Sequence, residues 1–175
     1  MSDHRAGFVV GVDPGLKGAL TLLDPYSREI IQVFDMPTIQ RVLKAGGKRN
    51  YHDIGGLLQL AQYFKSADVS VACVETPGRR PGQASAAAVT IGYGVGALHT
   101  ALISEGVRVE EVMANHWKRV MRVPADKWGA IQRADQLFPN DYVRFRGRDG
   151  GAADGRAESA ILALYAAEEL LGIKR

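Results

Sequence analysis

Residues 11–20 read GVDPGLKGAL, and they close an apolar run, GFVVGVD, that begins at Gly7. The run predicts a buried β-strand, Asp13-Pro14-Gly15 predicts a turn, and GALTLLD (18–24) predicts a second strand within reach of a hairpin. Asp13 then has two interpretations. It is either an ordinary turn residue or a carboxylate held at the open end of a buried strand, and the rest of the chain has to decide between them.

Four further segments extend this strand pair to a complete fold. EIIQVFDMP (29–37), VSVACVETPG (69–78) and VRVEEVM (107–113) each predict a strand, whereas RVLKAGGKRN (41–50) predicts a polar, mobile connection. Helical spacing or composition predicts helices over 51–68, 85–105, 115–122, 127–139 and 154–172. Three strands in hairpin order followed by strand–helix alternation predict one α/β domain over 1–175, with a mixed five-stranded sheet and helices on both faces.

Composition restricts the kinds of function that the chain can have. It has 175 residues, of which 46% are hydrophobic and 23% charged, as in ordinary globular proteins. The single cysteine, Cys73, lies in an apolar run, so a disulfide or a cysteine-rich metal site is excluded and burial is expected. No apolar stretch reaches the ~18 residues of a membrane span, and no signal-peptide pattern opens the chain. We therefore expect a cytoplasmic protein with no membrane partner.

Basic residues concentrate in three glycine-containing segments that are predicted to be loops. The net charge is only +3, but its distribution suits the backbone phosphates of DNA. An equally simple interpretation is that these are solvated charged loops. The candidate DNA-binding residues in these segments are Lys44, Lys48, Arg49, Arg79, Arg80, Arg144, Arg146 and Arg148.

Four carboxylates occupy positions that would not favour stability on their own. Asp13 and Glu75 end predicted strands, and Asp154 and Glu158 lie four apart on one face of the last helix. Converging like charges repel, and a divalent cation turns that repulsion into a binding site for Mg²⁺, which prefers oxygen ligands. Two such ions about 4 Å apart would support phosphodiester hydrolysis. Alternatively, Asp154 is an N-cap and Glu158 interacts with the helix dipole.

Four motifs together resemble a known family. GVDPGLKGA, VACVETPG, ANHWKRVM and DGRAESAILALYA, in this order over nearly the whole chain, resemble the RuvC-type Holliday junction resolvases, especially phage-like ones, which have the RNase H-like fold. The resemblance implies a homodimeric endonuclease that depends on Mg²⁺, with Mn²⁺ able to substitute. Such an enzyme nicks two opposed strands of a four-way DNA junction and leaves 5′-phosphate and 3′-hydroxyl ends.

The resemblance also implies roles for individual residues. Asp13, Glu75, Asp154 and Glu158 match the four acidic, metal-binding and catalytic positions of the family. Lys118 and Lys127 fall where the family has phosphate-contacting or catalytic lysines, although both could be solvated helix charges. The helix that contains Gly92 and Gly96 corresponds to the dimer-forming region, although packing of its small residues on its own sheet explains them equally well.

Two departures from the family pattern leave the substrate open. The last two acids are four apart, where bacterial members have aspartates three apart, and Gly78 stands where those members have a junction-opening aromatic residue. The alternatives are therefore a non-catalytic relative that binds branched DNA, or an RNase H-like nuclease acting on flaps, forks or RNA–DNA hybrids. The first motif also resembles the phosphate loop of sugar-kinase and actin-like ATPases, but those proteins need a second such domain, for which 175 residues leave no room.

Overall fold

The computed structural model describes residues 5–44, 46–76, 85–126, 128–147 and 153–174, with only the backbone described for 85–87. Seven strands form within these ranges. They are β1 (Phe8–Asp13), β2 (Ala19–Leu23), β3 (Ile30–Asp35), β4 (Thr38–Val42), β5 (Lys48–His52), β6 (Val69–Thr76) and β7 (Val109–Met113). Five α-helices accompany them, namely α1 (Ile54–Ser66), α2 (Ser85–Ser104), α3 (Ala114–Val120), α4 (Gly129–Leu137) and α5 (Asp154–Tyr165).

The main sheet has five strands in the order β3-β2-β1-β6-β7. β1 pairs antiparallel with β2, and β2 pairs antiparallel with β3. β1 pairs parallel with β6, and β6 with β7. The predicted mixed five-stranded sheet is therefore confirmed, and its two central strands, β1 and β6, run in the same direction.

Helices cover both faces of this sheet, as predicted. One core cluster joins Val9 and Cys73 of the central strands to residues of α3, α4 and α5. The other joins Val10 and Val12 to residues of α1 and α2. Successive side chains of a strand point to opposite faces, so the odd-numbered residues of β1 and β6 face α5. Cys73 is fully buried there, as predicted.

The prediction of a mobile connection over residues 41–50 is wrong, because β4 and β5 form an antiparallel hairpin. Gly46 and Gly47 form its turn with φ of +83° and +82°, a backbone conformation that glycine adopts without strain. All five residues of β4 are exposed. A strand with no buried face lacks the alternation of polar and apolar residues that marks a strand in a sequence, and this is why the prediction missed it.

The ends of α5 and the membrane-spanning potential of the helices complete the description of the fold. Ala153 is the N-cap of α5 and Asp154 is its first residue, so the alternative that Asp154 is the N-cap is wrong. A π-helical turn, Ala166–Leu170, continues α5. Among the helices that the structure describes, none is long and apolar enough to cross a membrane.

Candidate active site

Asp13 and Glu75 lie side by side at one end of the sheet. Val12 of β1 is in register with Val74 of β6, so Asp13 and Glu75 are the next residues along two neighbouring parallel strands. Both have odd numbers, and they therefore belong to the sheet face that α5 covers. Sequence patterns placed each carboxylate at a strand end, and the parallel register brings the two ends together.

Helix α5 packs very closely against this end of the sheet, because the residues at the contact are glycines and have no side chains to hold the two backbones apart. A Cβ on Gly11 would lie 2.1 Å from the Ser159 carbonyl oxygen. A Cβ on Gly155 would lie 2.6 Å from the Gly18 Cα and 2.9 Å from Oδ2 of Asp13. The first turn of α5 is thus in contact with the turn that follows Asp13, and it brings Asp154 and Glu158 to the same end of the sheet.

The environment of Asp13 disfavours its ionised form. Burial is the largest cause, and the charges of Glu158, Glu75 and Asp154 add to it. Together they raise the pKa of Asp13 to about 7, although its Oδ1 accepts a 3.0 Å hydrogen bond from the Gly15 amide, which opposes the rise. All four predicted acidic residues therefore interact electrostatically at one place.

Helix α3 holds two of these carboxylates through consecutive residues. The indole N–H of Trp117 donates to Oε2 of Glu75 over 2.8 Å, and Trp117 is fully buried. Next to it, the ammonium of Lys118 contacts Oε1 of Glu158 at 2.5 Å. The structure thus places Lys118, a candidate from the sequence, beside the acidic residues. Sequence reasoning missed Trp117, because a tryptophan in a short amphipathic helix predicts only a core residue.

The donor chemistry of these residues fits a hard divalent cation. Carboxylate oxygens are the ligands that Mg²⁺ prefers, and a cation would relieve the repulsion that adds to the effect of burial on the pKa of Asp13. As the side chains stand, no three His, Cys, Asp or Glu side chains among the described residues are grouped closely enough to hold an ion. Glu75 instead bonds to Trp117, and Glu158 to Lys118.

His52, at the end of β5, supports the loop that carries Asp13. Its Nε2 donates to the carbonyl oxygen of Pro14 over 2.9 Å, since a carbonyl can only accept. The ring is 4% exposed, and it occupies the space beside Gly94 of α2, where a Cβ would lie 1.9 Å from Nδ1. The sequence offered no signal for this contact, because it joins residues 38 positions apart.

Arg156 connects α5 to the segment of Arg144 and Arg146. Its guanidinium forms two 2.5 Å hydrogen bonds with the carboxylate of Asp35, at the end of β3. A third nitrogen lies 3.4 Å from the carbonyl oxygens of Arg144 and Arg146. No local sequence pattern predicts this contact, which ties α5 to the end of β3 and to Arg144 and Arg146.

Apart from Lys118, which lies beside Glu158, the predicted DNA-binding residues fall into three groups. Lys44, Lys48 and Arg49 are exposed on the β4–β5 hairpin. Arg144 and Arg146 instead form ion pairs with Asp141 at 2.8 Å and with Asp135 at 2.6 Å. The remaining candidates, together with the departure at Gly78, lie outside the described residues; they are Arg79, Arg80, Lys127 and Arg148.

Gly92 and Gly96 of α2 do not pack against the sheet, unlike Gly94 of the same helix, which packs against His52. A Cβ on Gly92 or Gly96 would meet no described atom within 4 Å. Large apolar side chains are exposed on the same helix, with Val89 at 71%, Tyr93 at 68% and Ile103 at 61% exposure. The alternative that these small residues serve packing on the chain's own sheet is therefore wrong.

The fold is the RNase H-like α/β class, and solved structures of one protein match it over almost the whole chain. "T. thermophilus RuvC in complex with Holliday junction substrate" matches with a TM-score of 0.57 and 14% identity, covering 95% of this chain and 97% of that one. "Thermus thermophilus RuvC structure" matches with a TM-score of 0.54 and 15% identity over the same shares.

These matches confirm the RuvC-like fold that the four motifs predicted. At 14–15% identity they show the fold and not the activity. No protein-family model matches the sequence. No curated protein matches it either.

Proposed function

We propose that this protein is a metal-dependent endonuclease that cuts branched DNA, with the four-way junction as its preferred substrate. One observation carries the proposal, namely the convergence of three further carboxylates on the buried Asp13; burial, the largest cause, and these charges together raise its pKa to about 7. Such a cluster destabilises a protein without a cation, and perturbed carboxylates of this kind occur preferentially at functional sites. The RuvC-like fold adds support, since one of the matched structures is of RuvC with a Holliday junction substrate.

The acidic residues would hold Mg²⁺, or Mn²⁺ in its place. The candidate ligands are Asp13, Glu75, Asp154 and Glu158. When bound, such an ion polarises a phosphoryl oxygen and promotes ionisation of a water nucleophile. Cleavage in this way leaves 5′-phosphate and 3′-hydroxyl ends.

The chain's own residues would orient the reaction. Trp117 holds one carboxylate oxygen of Glu75, at the strand end that lies beside Asp13. Lys118 carries a positive charge beside Glu158 and is 34% exposed, so its ammonium can contact a phosphate oxygen of DNA. Exposed cations around the site would contact further phosphates, and the candidates include Lys44, Lys48, Arg49, Arg79, Arg80, Lys127, Arg144, Arg146 and Arg148.

We also propose a homodimer, because a four-way junction has two opposed strands to cut and one acidic site cuts one strand. The exposed face of α2 supports this proposal. Val89, Tyr93, Gly96 and Ile103 recur at intervals of four, three and seven, which places them on one side of the helix. A second copy of the same face would cover this apolar stripe.

The experiment that tests the function compares cleavage of labelled substrates with and without Mg²⁺. The panel contains a four-way junction, a flap, a fork, an RNA–DNA hybrid and a linear duplex, and each cut is mapped to the nucleotide. We expect paired nicks in opposed strands of the junction, only when Mg²⁺ or Mn²⁺ is present.

Asp13→Asn provides the matched control. It removes a negative charge but keeps size and shape, so we expect cleavage to be lost while the affinity for the junction persists. Retained cleavage would exclude Asp13 from the site. If the unmodified protein binds the junction but does not cut it, the non-catalytic alternative is favoured. If it cuts the hybrid, the flap or the fork in preference to the junction, that nucleic acid is the substrate instead.

A further inference from the structure

The β4–β5 hairpin, called the arm below (residues 38–52), projects from the protein on a firmly held base. All of β4 is exposed, and burial in β5 begins only at Tyr51. At the base, the amide of Asp53 donates to the Pro37 carbonyl over 2.9 Å, and His52 is bound to Pro14. The arm therefore has a defined position relative to the Asp13 loop, while its length remains accessible.

The arm is strongly basic. It contains Arg41, Lys44, Lys48 and Arg49, and its sequence includes no Asp or Glu. None of these four cations forms an ion pair with another residue that the structure describes. Arg144 and Arg146, by contrast, each have an acidic partner. The charge of the arm is thus available to a partner from solution.

Two of the arm's arginines stand directly opposite each other. Arg41 is in register with Arg49, and Ile39 with Tyr51, so these four side chains share one face of the hairpin. The guanidinium of Arg41 lies 5.4 Å from the centre of the Tyr51 ring. Like charges in directly opposed positions destabilise a strand pair, and a polyanion bound to this face would remove that cost.

We propose that the arm binds duplex DNA by lying in its major groove, with Arg41 and Arg49 contacting the DNA. A two-stranded ribbon fits that groove, which is about 12 Å wide, since neighbouring strands lie about 5 Å apart before their side chains are added. The proposal rests on the proposed function only in taking DNA as the polyanion. It assigns the arm to an unbranched duplex segment of the substrate, and the acidic residues to the phosphate that is cut.

The first test measures affinity for a linear duplex of about two helical turns and for a four-way junction, by fluorescence anisotropy in EDTA. The variant is Arg41→Gln/Arg49→Gln. The control is Lys65→Gln/Arg108→Gln, which removes the same charge from exposed positions at the opposite end of the parallel strands. We expect the arm variant to weaken duplex binding about tenfold and to lower the slope of log K against log salt concentration by about 2, whereas the control retains the parent values.

The second test identifies the groove. Duplex containing glucosylated 5-hydroxymethylcytosine has a bulky sugar in the major groove, and netropsin occupies the minor groove. We expect glucosylation to reduce the affinity of the unmodified protein to that of the arm variant, and netropsin to leave it unchanged. If netropsin lowers the affinity for the duplex and glucosylation does not, the proposal is wrong.

Equal duplex affinity of the arm variant and the control, or no duplex binding at all, also overturns it. Thermal unfolding tests whether the arm variant is folded, and its midpoint should equal or exceed that of the parent, because the opposed charges are gone. Since every binding measurement is made in EDTA, a protein that never cuts DNA would contradict the proposed function and leave these results intact.

Discussion

At the scale of single residues, Asp13 links stability to pH. Its usual pKa is 3.8 and its pKa in the folded protein is about 7, so between these values the folded state binds more protons than the unfolded state. The contribution of Asp13 to the stability of the metal-free protein therefore falls as pH rises from about 4 to 7, and the full cost of ionising Asp13 is present above pH 7. Mg²⁺ bound beside the carboxylate would offset that cost.

Asp13→Asn should therefore stabilise the metal-free protein at pH 8 and leave its stability nearly unchanged at pH 4. We expect a gain of roughly 2 kcal/mol, because each pKa unit corresponds to about 1.4 kcal/mol and solvent reduces the full effect at a partly exposed carboxyl. Denaturant unfolding in EDTA at both pH values measures it. Glu29→Gln, at an exposed carboxylate, is the control, and the same pH slope in Asp13→Asn and the parent would contradict the argument.

Trp117 acts on Glu75 through one hydrogen bond, which Trp117→Phe removes while an aromatic ring stays in the core. A hydrogen bond to a charged group contributes about 1.5–3 kcal/mol, so we expect kcat to fall at least about tenfold with unchanged affinity for DNA. Trp128→Phe is the matched control, since Trp128 is 46% exposed.

A spectroscopic measurement separates this effect from a general loss of packing. The chain has two tryptophans, so two indole N–H resonances are expected in a ¹⁵N–¹H spectrum. Glu75→Gln should move the Trp117 resonance and leave that of Trp128 in place. Equal kinetics of the two Trp→Phe variants would show that the bond to Glu75 does not matter for the reaction.

At the scale of elements, the position of α5 depends on the glycines beneath it. Gly155→Ala tests this, because alanine favours a helix over glycine by about 1 kcal/mol and would stabilise an unobstructed helix. Here the new Cβ would lie 2.6 Å from the Lys17 carbonyl oxygen as well as from Gly18. We expect a net loss of roughly 1–3 kcal/mol, as for other overpacked sites, and a loss of cleavage as the first turn of α5 moves away from Asp13.

Gly55→Ala is the control for this prediction. Gly55 lies in the first turn of α1, and the nearest described atom to its Cβ position is 3.5 Å away, an ordinary contact. Denaturant unfolding compares the two variants. If Gly155→Ala is as stable as Gly55→Ala, the close approach of α5 is not required for the fold.

At the scale of the whole molecule, the exposed stripe on α2 predicts association of two copies. Tyr93→Glu places a charge in the middle of that stripe, so we expect a monomer at concentrations where the unmodified protein is a dimer. Light scattering coupled to size-exclusion chromatography measures the mass. Leu58→Glu, on the 42% exposed Leu58 of α1, is the control and should leave the mass unchanged; a dimer that survives Tyr93→Glu would place the interface elsewhere.

The sequence by itself determined the sheet, its helices and the two strand ends that carry Asp13 and Glu75. The local patterns that predict these elements are apolar runs ending in Asp-Pro-Gly or Glu-Thr-Pro, together with helical spacing elsewhere. Packing in the core stabilises the strands and helices that these patterns favour. The same kind of pattern could not predict β4 and β5, since neither buries a face along its length.

Only the tertiary structure decided which side chains meet. The register of β1 with β6 sets Glu75 beside Asp13, and the contact between Gly155 and Gly18 brings α5 to them. The bonds of Trp117 to Glu75 and of His52 to Pro14 join residues 42 and 38 positions apart. Contacts at such separations depend on how whole elements pack, which no local periodicity encodes, so a sequence indicates the acids of a site before it reveals the residues that hold them.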